Sequence, residues 1–483
     1  MMLFLPTVEK TLKSLRVLFV LGPMESFKGV LPEYVQKEMK PELNLAFKLL
    51  SPFKEQGFCY LIQEYETHVA KTLGVQLESA SLTPASFVEI VCNRHHYFQQ
   101  FANEVFEGSQ DLNDGYRRAV ESVINNIKKQ EPFYAAKMIA RHMDLLLKRS
   151  TRNKVSDDLE ERMDDAITVF RFIKDKDTFL KIYQRLFSTR LLSKLFCSLQ
   201  MESLMIEKLK AACGNDYTNK LVRMYTDYEN SRQLTETFQQ SKSCTCSSHG
   251  EDEITVIQTC AWPVTSSRED SNLISFKVPS PLNTLTQCFK QFYEAKHNGR
   301  VLNYAYHVST ADLVVNIGSR SSIVTMTVPQ ALLACSSRLQ NSENTNSKCE
   351  CYSSSHSINF AKPFREISIH RRRNVSINLE FVTTRSRMHL QPPAVVSRTQ
   401  ESSNIVPTPQ ETTQDRKSVV ECAVVRAMKT RKVLKHQQLV EFILNVTKNR
   451  FVPSNQLIKM CIESLIDKHF INRAGVDCYE YLA

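Results

Sequence analysis

Apolar residues recur three and four positions apart through most of the first 330 residues. Leu159, Met163, Ala166, Ile167, Phe170 and Ile173 form one such set. Phe179, Tyr183, Leu186, Phe187, Leu191 and Leu195 form a second, and Tyr217, Leu221, Met224, Tyr225 and Tyr228 a third. Each set falls along one side of an α-helix, so the pattern predicts amphipathic helices that bury a single stripe. Cys213-Gly214 reads as a helix stop. Helical patterns fill residues 1–130. Four long helices with short connections are expected over 131–245, as a four-helix bundle.

The period changes near residue 250. Ile254–Thr259, Ile274–Val278, Ala311–Asn316 and Ile323–Val328 are β-rich runs bounded by Ser, Pro and Gly. Phe289, Phe292 and Tyr293 lie between them at helical spacing, so 250–335 reads as a small α+β domain. Residues 336–364 are polar, with few apolar anchors for a core. Residues 391–416 have the Pro, Ser, Thr and Gln content of a linker. Residues 417–483 then show three helical stripes in succession: Val419, Val420, Ala423, Val424 and Ala427; Leu439, Phe442, Ile443 and Val446; and, after the cap Ser454, Ile458, Cys461, Ile462 and Leu465. Phe470-Ile471 and Tyr479-Glu480-Tyr481 around Gly475 read as a hairpin. Three helices and a terminal hairpin describe a winged helix. The expected fold class is mainly α, with a small α+β domain and a C-terminal winged helix.

Composition narrows this picture. The 483 residues hold only 11 Gly and 17 Pro, too few turn-formers for a sandwich, a barrel or a Gly-dependent nucleotide fold. No apolar run reaches the roughly 18–20 residues of a membrane span. The stretch Leu15–Leu21, interrupted by Arg16, reads as a core helix rather than a signal peptide. Most of the 14 cysteines sit inside apolar patterns, which fits a reducing compartment, the cytoplasm and nucleus. Cys244 and Cys246 with His249, and Cys349 and Cys351 with His356, are spaced too tightly for a zinc site. No metal and no cofactor are expected.

Charge is uneven. Lys plus Arg exceeds Asp plus Glu by 62 − 51 = 11, and the stretch from Arg416 onward holds 12 basic and 6 acidic residues. On the first helix of that stretch Cys422, Arg426 and Lys429 fall at i, i+4 and i+7, opposite the apolar face. Lys429 is thus presented to solvent, flanked by Arg426, Arg431 and Lys432. An exposed amine is what attack on a thioester requires, and the cluster would attract an acidic partner. A plain solvated basic face is the alternative. A winged helix can also read DNA with its third helix. Residues 454–467 offer only Lys459 against Glu463 and Asp467, so no nucleic-acid partner is expected. His95-His96 lies in a helical pattern without a nucleophile elbow or a diagnostic acidic partner, and no phosphate loop is present. Catalysis by the chain's own residues is not expected.

Several stretches resemble one family. The segment VVECAVVRAMKTRKVLKHQQLVEFILNVTKNRF, with IKMCIESLIDKHFI and YEYLA after it, is similar to the neddylation domain of cullins. DKDTFLKIYQRLFSTRLL, ESLMIEKLKAACGNDYTNKLVRMYTDY, Trp262-Pro263 and FYEAKHNGRVLNYAYH resemble cullin signatures in the family's order. RKVLKHQQL is most similar to the cullin of SCF-type ubiquitin ligases.

The resemblance implies a non-catalytic scaffold of a cullin-RING ubiquitin ligase, acting in protein degradation. A RING-box protein would dock on the α+β domain by adding a strand, with Val314, Val315, Ile323, Val324, Met326 and Trp262 as candidate contacts. The RING protein would recruit a ubiquitin-conjugating enzyme. Lys429 matches the acceptor that takes a ubiquitin-like modifier from its own conjugating enzyme, with Arg426, Met428, Arg431 and Lys432 around it. Residues 1–130 resemble only the last of the family's helical repeats, so docking of an adaptor and substrate receptor is not expected of this chain. Residues 336–364 depart from the family's pattern, which resumes in a strand over 367–381. A truncated paralogue lacking substrate-receptor docking and a nucleic-acid-binding winged helix are the alternative readings.

Overall fold

The computed structural model of the chain describes residues 24–51, 57–79, 82–128, 131, 133–148, 158–241, 253–263, 280–331 apart from 307, 318, 319 and 329, then 387–389 and 409–482 apart from 476. The expected strand at 274–278, the polar segment 336–364, the strand at 367–381, the stretch Leu15–Leu21 and both tight cysteine pairs lie outside these residues. Two compact units are present: 1–222 with 405–483, and 223–404.

Ten helices come first among the described residues. They are α1 (Met24–Gln36), α2 (Lys40–Leu50), α3 (Cys59–Ser79), α4 (Pro84–Phe106), α5 (Gln110–Asn126), α6 (Tyr134–Leu147), α7 (Asp158–Arg171), α8 (Lys176–Leu192), α9 (Leu199–Cys213) and α10 (Asn215–Gln240). The start of α4 shows why the breaks fall where they do. Thr83 caps it by accepting from the Ser86 amide while Ser86 returns the bond, and Pro84 opens the helix where no amide is needed. Further along, α3 and α5 pack closely enough that a Cβ on Gly115 would lie 2.9 Å from Ile62 Cγ2.

The apolar stripes are the core. Met163, Ala166, Phe170, Phe179, Tyr183, Phe187, Leu191 and Leu221 are all fully buried. The expected four-helix bundle over 131–245 instead contains five helices, α6 to α10. Gly214, at φ +88, ends α9 at the expected stop, and α10 starts one residue later. Leu195 is not on the α8 stripe: the chain leaves the helix at Ser193 and turns through Lys194 at φ +53, leaving Leu195 44% exposed.

One buried charge cluster ties three of these helices together. Arg190 on α8 is fully buried. Its Nε and Nη2 donate to Glu202 on α9 at 2.8 and 2.9 Å, and its Nη1 donates to Asp144 on α6 at 2.7 Å. Lys148 also pairs with Asp144 at 2.6 Å. Every charge has an opposite partner, which is the condition for burying such a group without a large penalty.

In the second unit, α11 (Ser280–Lys296) packs Phe289 and Tyr293 against Phe238 of α10. A three-stranded sheet follows: β1 (Thr310–Ile317), β2 (Arg320–Thr327) and β3 (Arg387–His389), in that order. β1 and β2 are antiparallel, with Val314 opposite Ile323, and β3 runs parallel to β2.

The C-terminal domain comprises α12 (Pro409–Arg431), β4 (Val433–Lys435), α13 (His436–Thr447), α14 (Asn455–Asp467), β5 (Ile471–Gly475) and β6 (Cys478–Tyr481). Its sheet order is β4-β6-β5, one strand more than the expected hairpin. The expected linker 391–416 is shorter, because α12 already begins at Pro409. Residues 409–416 carry no apolar stripe and read as coil, yet Thr412 is buried there and Arg416 pairs with distant carboxylates.

Candidate modification site and its supporting domains

Helix α12 sets the candidate site. Val420, Ala423, Val424, Ala427 and Met428 are at most 4% exposed and pack on Leu439, Ile443, Ile458 and Ile462 of the other two helices. With that face filled, Cys422, Arg426 and Lys429 are left exposed on the other side. Met428, read as a neighbour of the site, is a core residue that locks the turn carrying Lys429.

The basic cluster separates into two pairs. Lys432 leaves the helix at φ +62 and its carbonyl accepts from the Tyr481 amide at 2.9 Å. Its ammonium lies 4.9 Å from the Tyr481 ring, and the Arg431 guanidinium 6.0 Å from the Phe442 ring. Both cations therefore face aromatic rings of their own domain. Arg426 and Lys429 stay on the open stripe, and Lys429 forms no ion pair among the described residues. Beneath, burial pushes the Cys461 thiol up to about 11, with Glu421 acting in the same direction.

At its other end α12 meets the helical region. Arg416 donates from Nε and Nη2 to both oxygens of Asp177, at 2.6 and 2.7 Å, and from Nη2 to Asp175 at 2.5 Å. Lys181, one turn along α8, pairs with Asp415. The Phe451 ring lies 4.9 Å from the Arg416 guanidinium. The amide of Asp177 donates to the Arg450 carbonyl at 3.2 Å, and Arg450 Nη2 donates to the Asp216 carbonyl at 3.1 Å. None of these contacts was visible in the local sequence pattern.

The candidate docking residues of the α+β domain divide sharply. Val324 and Met326 are 1% and 2% exposed and belong to the core, while Ile323 is 38% exposed. β2 is the central strand, so among the described residues β1 and β3 are the edges, and on β1 Val314 and Val315 pair with Ile323 and Ser322. Trp262 is also no surface contact. It is 4% exposed, and its indole nitrogen donates to Asp227 Oδ2 at 3.0 Å. It bears on the next feature instead.

The run expected as a strand at Ile254–Thr259 forms none: residues 253–258 are irregular, Thr259 begins a turn, and the run is bonded to a helix. Asp227, Ser231 and Thr235 lie four apart on α10 and are buried. Asp227 accepts from the Gln258 amide at 3.0 Å. Ser231 Oγ accepts from the Val256 amide at 2.8 Å, and its one proton is shared between the Asp227 carbonyl of its own helix at 2.6 Å and the Val256 carbonyl at 3.1 Å. Thr235 Oγ1 does the same at Ile254, at 3.4 and 3.0 Å. Alternate residues of the segment are thus bonded to one helix face, and the backbone of Thr255 and Ile257 has no bond among the described residues.

Of the remaining candidates, His95 is a packing residue. His95 Nδ1 is 3.0 Å from Tyr116 Oη, its ring stands 5.5 Å from Phe172, and burial lowers its pKa, with no carboxylate bonded to it. On α14, Lys459 is exposed, as are Glu463 and Asp467.

Residues 6–235 match the family model for the cullin alpha solenoid domain, 256–344 that for the cullin alpha+beta domain, and 415–477 that for the cullin protein neddylation domain. The chain belongs to the cullin family. Cullin-2 of Caenorhabditis elegans is 30% identical over 99% of this chain and 63% of its own length. Cullin-1 of the same organism is 28% identical over 92% and 59%, and Cullin-1 of Schizosaccharomyces pombe 28% over 86% and 55%. This cullin therefore spans about three fifths of the length of the curated relatives it matches. A special closeness to the SCF-type cullin does not stand out, since Cullin-1 and Cullin-2 relatives match almost equally.

Proposed function

We propose that this cullin is the scaffold of a RING-type ubiquitin ligase and that Lys429 is the acceptor of a ubiquitin-like modifier. The observation that carries the reading is Lys429 itself. It is an exposed amine, unpaired among the described residues, fixed by the buried Met428 turn, inside a domain matched by the neddylation model. Its ε-amine attacks the thioester of a charged conjugating enzyme. An isopeptide bond forms, the conjugating cysteine leaves as a thiol, and the amine releases a proton.

The RING-box protein docks by strand addition, in which main-chain bonds supply affinity and side-chain pockets supply selectivity. Two features favour that mode: the β1 edge, unpaired among the described residues, and the segment 253–258, in which the Thr255 and Ile257 backbone has no bond among the described residues. The docked RING recruits the ubiquitin-conjugating enzyme, so this chain holds the reacting parts in place. The complex acts in the cytoplasm and nucleus.

The test is conjugation of the chain, with a RING-box protein, by a neddylation enzyme set. The expected result is one added modifier, absent in Lys429→Arg. An unchanged band shift in that variant rejects the site, and failure of the chain to co-purify with a RING-box protein rejects the scaffold.

A further inference from the structure

The contact between Arg416 and the start of α8 has a distinctive construction. The guanidinium is bidentate to Asp177, shares a nitrogen with Asp175 and lies against the Phe451 ring. Its side chain is only 21% exposed and that of Asp177 16%. The neighbouring pair has the opposite polarity, with Lys181 on α8 and Asp415 on α12. Acids on α8 face a base on α12, and a base on α8 faces an acid on α12. Only one register of the two helices satisfies both pairs, because a shift by one turn would bring like charges together. The backbone bond from Asp177 to Arg450 fixes the loop before α14 at the same place.

Lys429 is on the same unbroken helix, 429 − 416 = 13 residues further on. At about 1.5 Å and 100° per residue, that puts it roughly 20 Å along the axis and roughly 140° around it from Arg416. A helix pinned at one end in a single register therefore holds the far lysine in one direction, turned away from the surface that pins it.

We propose that Arg416 is a positioning residue for modification of Lys429, acting through the charge clamp with Asp175 and Asp177. This rests on the reading of Lys429 as acceptor and adds to it. The lysine's reactivity depends on a contact about 20 Å away, because the clamp turns a tethered domain into a docked one. Loss of the clamp leaves the amine exposed and chemically unchanged but spreads it over many orientations, which lowers the rate of attack within the assembled complex.

The experiment measures kcat and KM for modifier transfer to the full chain bound to a RING-box protein. Four variants are compared with the wild type: Arg416→Gln, Asp175→Asn with Asp177→Asn, the three changes together, and Lys429→Arg. The expected result is a loss of about tenfold in kcat for either side of the clamp, with no further loss on combining them, since they remove one interaction. Raising salt should bring the wild-type kcat down toward the variants and leave theirs flat. The fall of the wild-type kcat with salt needs no variant, so that arm stands even if a variant folds poorly. Variants that transfer at the wild-type rate, losses that multiply when combined, or a salt response equal in all proteins each overturn the proposal while leaving Lys429 as acceptor. Transfer to Lys429→Arg overturns the acceptor reading and the clamp's role together.

Discussion

The indole N–H of Trp262 and the backbone N–H of Gln258 share one acceptor, Asp227 Oδ2, each at 3.0 Å. One buried carboxylate on α10 thus anchors both the end of the segment 253–258 and the aromatic residue that closes it. The other oxygen of Asp227 accepts from Gln258 Nε2 at 3.0 Å, so the group is fully used.

Asp227→Ala should free the segment 253–262 from the helix. It leaves the buried indole N–H of Trp262 without its acceptor and removes the anchor of the Gln258 amide, at a cost of about 1–3 kcal/mol. Trp262 is the only tryptophan of the chain, so its fluorescence reports this site alone. A red-shifted emission maximum is expected, and an unchanged spectrum would show that the ladder does not hold the segment.

Arg190→Ala should be far more damaging than an average substitution. It leaves Glu202, which is fully buried, and Asp144 without their cation, a loss of about 3–5 kcal/mol. The triple change Arg190→Met, Glu202→Gln and Asp144→Asn should recover much of it. Urea midpoints of the two proteins decide the matter: equal midpoints would mean the cluster is not a charge-balanced unit.

His142 predicts acid sensitivity. Burial lowers its pKa from 6.5 to about 4, and its Nδ1 has no partner. Below pH 6.5 the unfolded chain takes up a proton that the folded chain refuses, so stability falls by about 1.4 kcal/mol per pH unit until the folded site titrates near pH 4. His142→Leu should flatten this decline between pH 6.5 and 4. A parallel decline in both proteins would assign the sensitivity elsewhere.

Cysteine alkylation should follow burial. Cys92 is pushed up to about 12 and Cys461 to about 11, both mainly by burial, whereas Cys422 is exposed on the Lys429 stripe. Mass spectrometry after brief iodoacetamide treatment should find Cys422 labelled and Cys461 untouched. Early labelling of Cys461 would mean that the winged-helix core opens readily.

Much of the fold is legible in the sequence wherever one stripe meets one core. Met163, Phe170 and Phe187 announce their helices because burial of apolar surface is a local periodic signal. The pattern misleads where polar groups do the packing. Val446 looked like the end of the α13 stripe, but the buried position is Thr447, whose hydroxyl donates to the Ile443 carbonyl, while Val446 is 39% exposed. The start of α12 was invisible because Arg416 is held by carboxylates 239 and 241 positions earlier in the chain. Within the candidate site, the exposure of Lys429 followed from spacing alone. The aromatic rings that take Arg431 and Lys432 did not, since they lie on α13 and β6.

The pairing of α10 with the segment 253–258 also carries its own ruler. Four helical residues advance about 6.0 Å, while two extended residues advance about 6.6 Å. Each rung is displaced by about 0.6 Å and turned by about 40° around the helix relative to the one before. Three rungs, at Asp227, Ser231 and Thr235, keep this drift within hydrogen-bond tolerance. A fourth would begin to aim past the segment. Such a seam is self-terminating: it can clip one short segment in a defined register, and unlike a sheet edge it cannot be extended by further strands on the helix side.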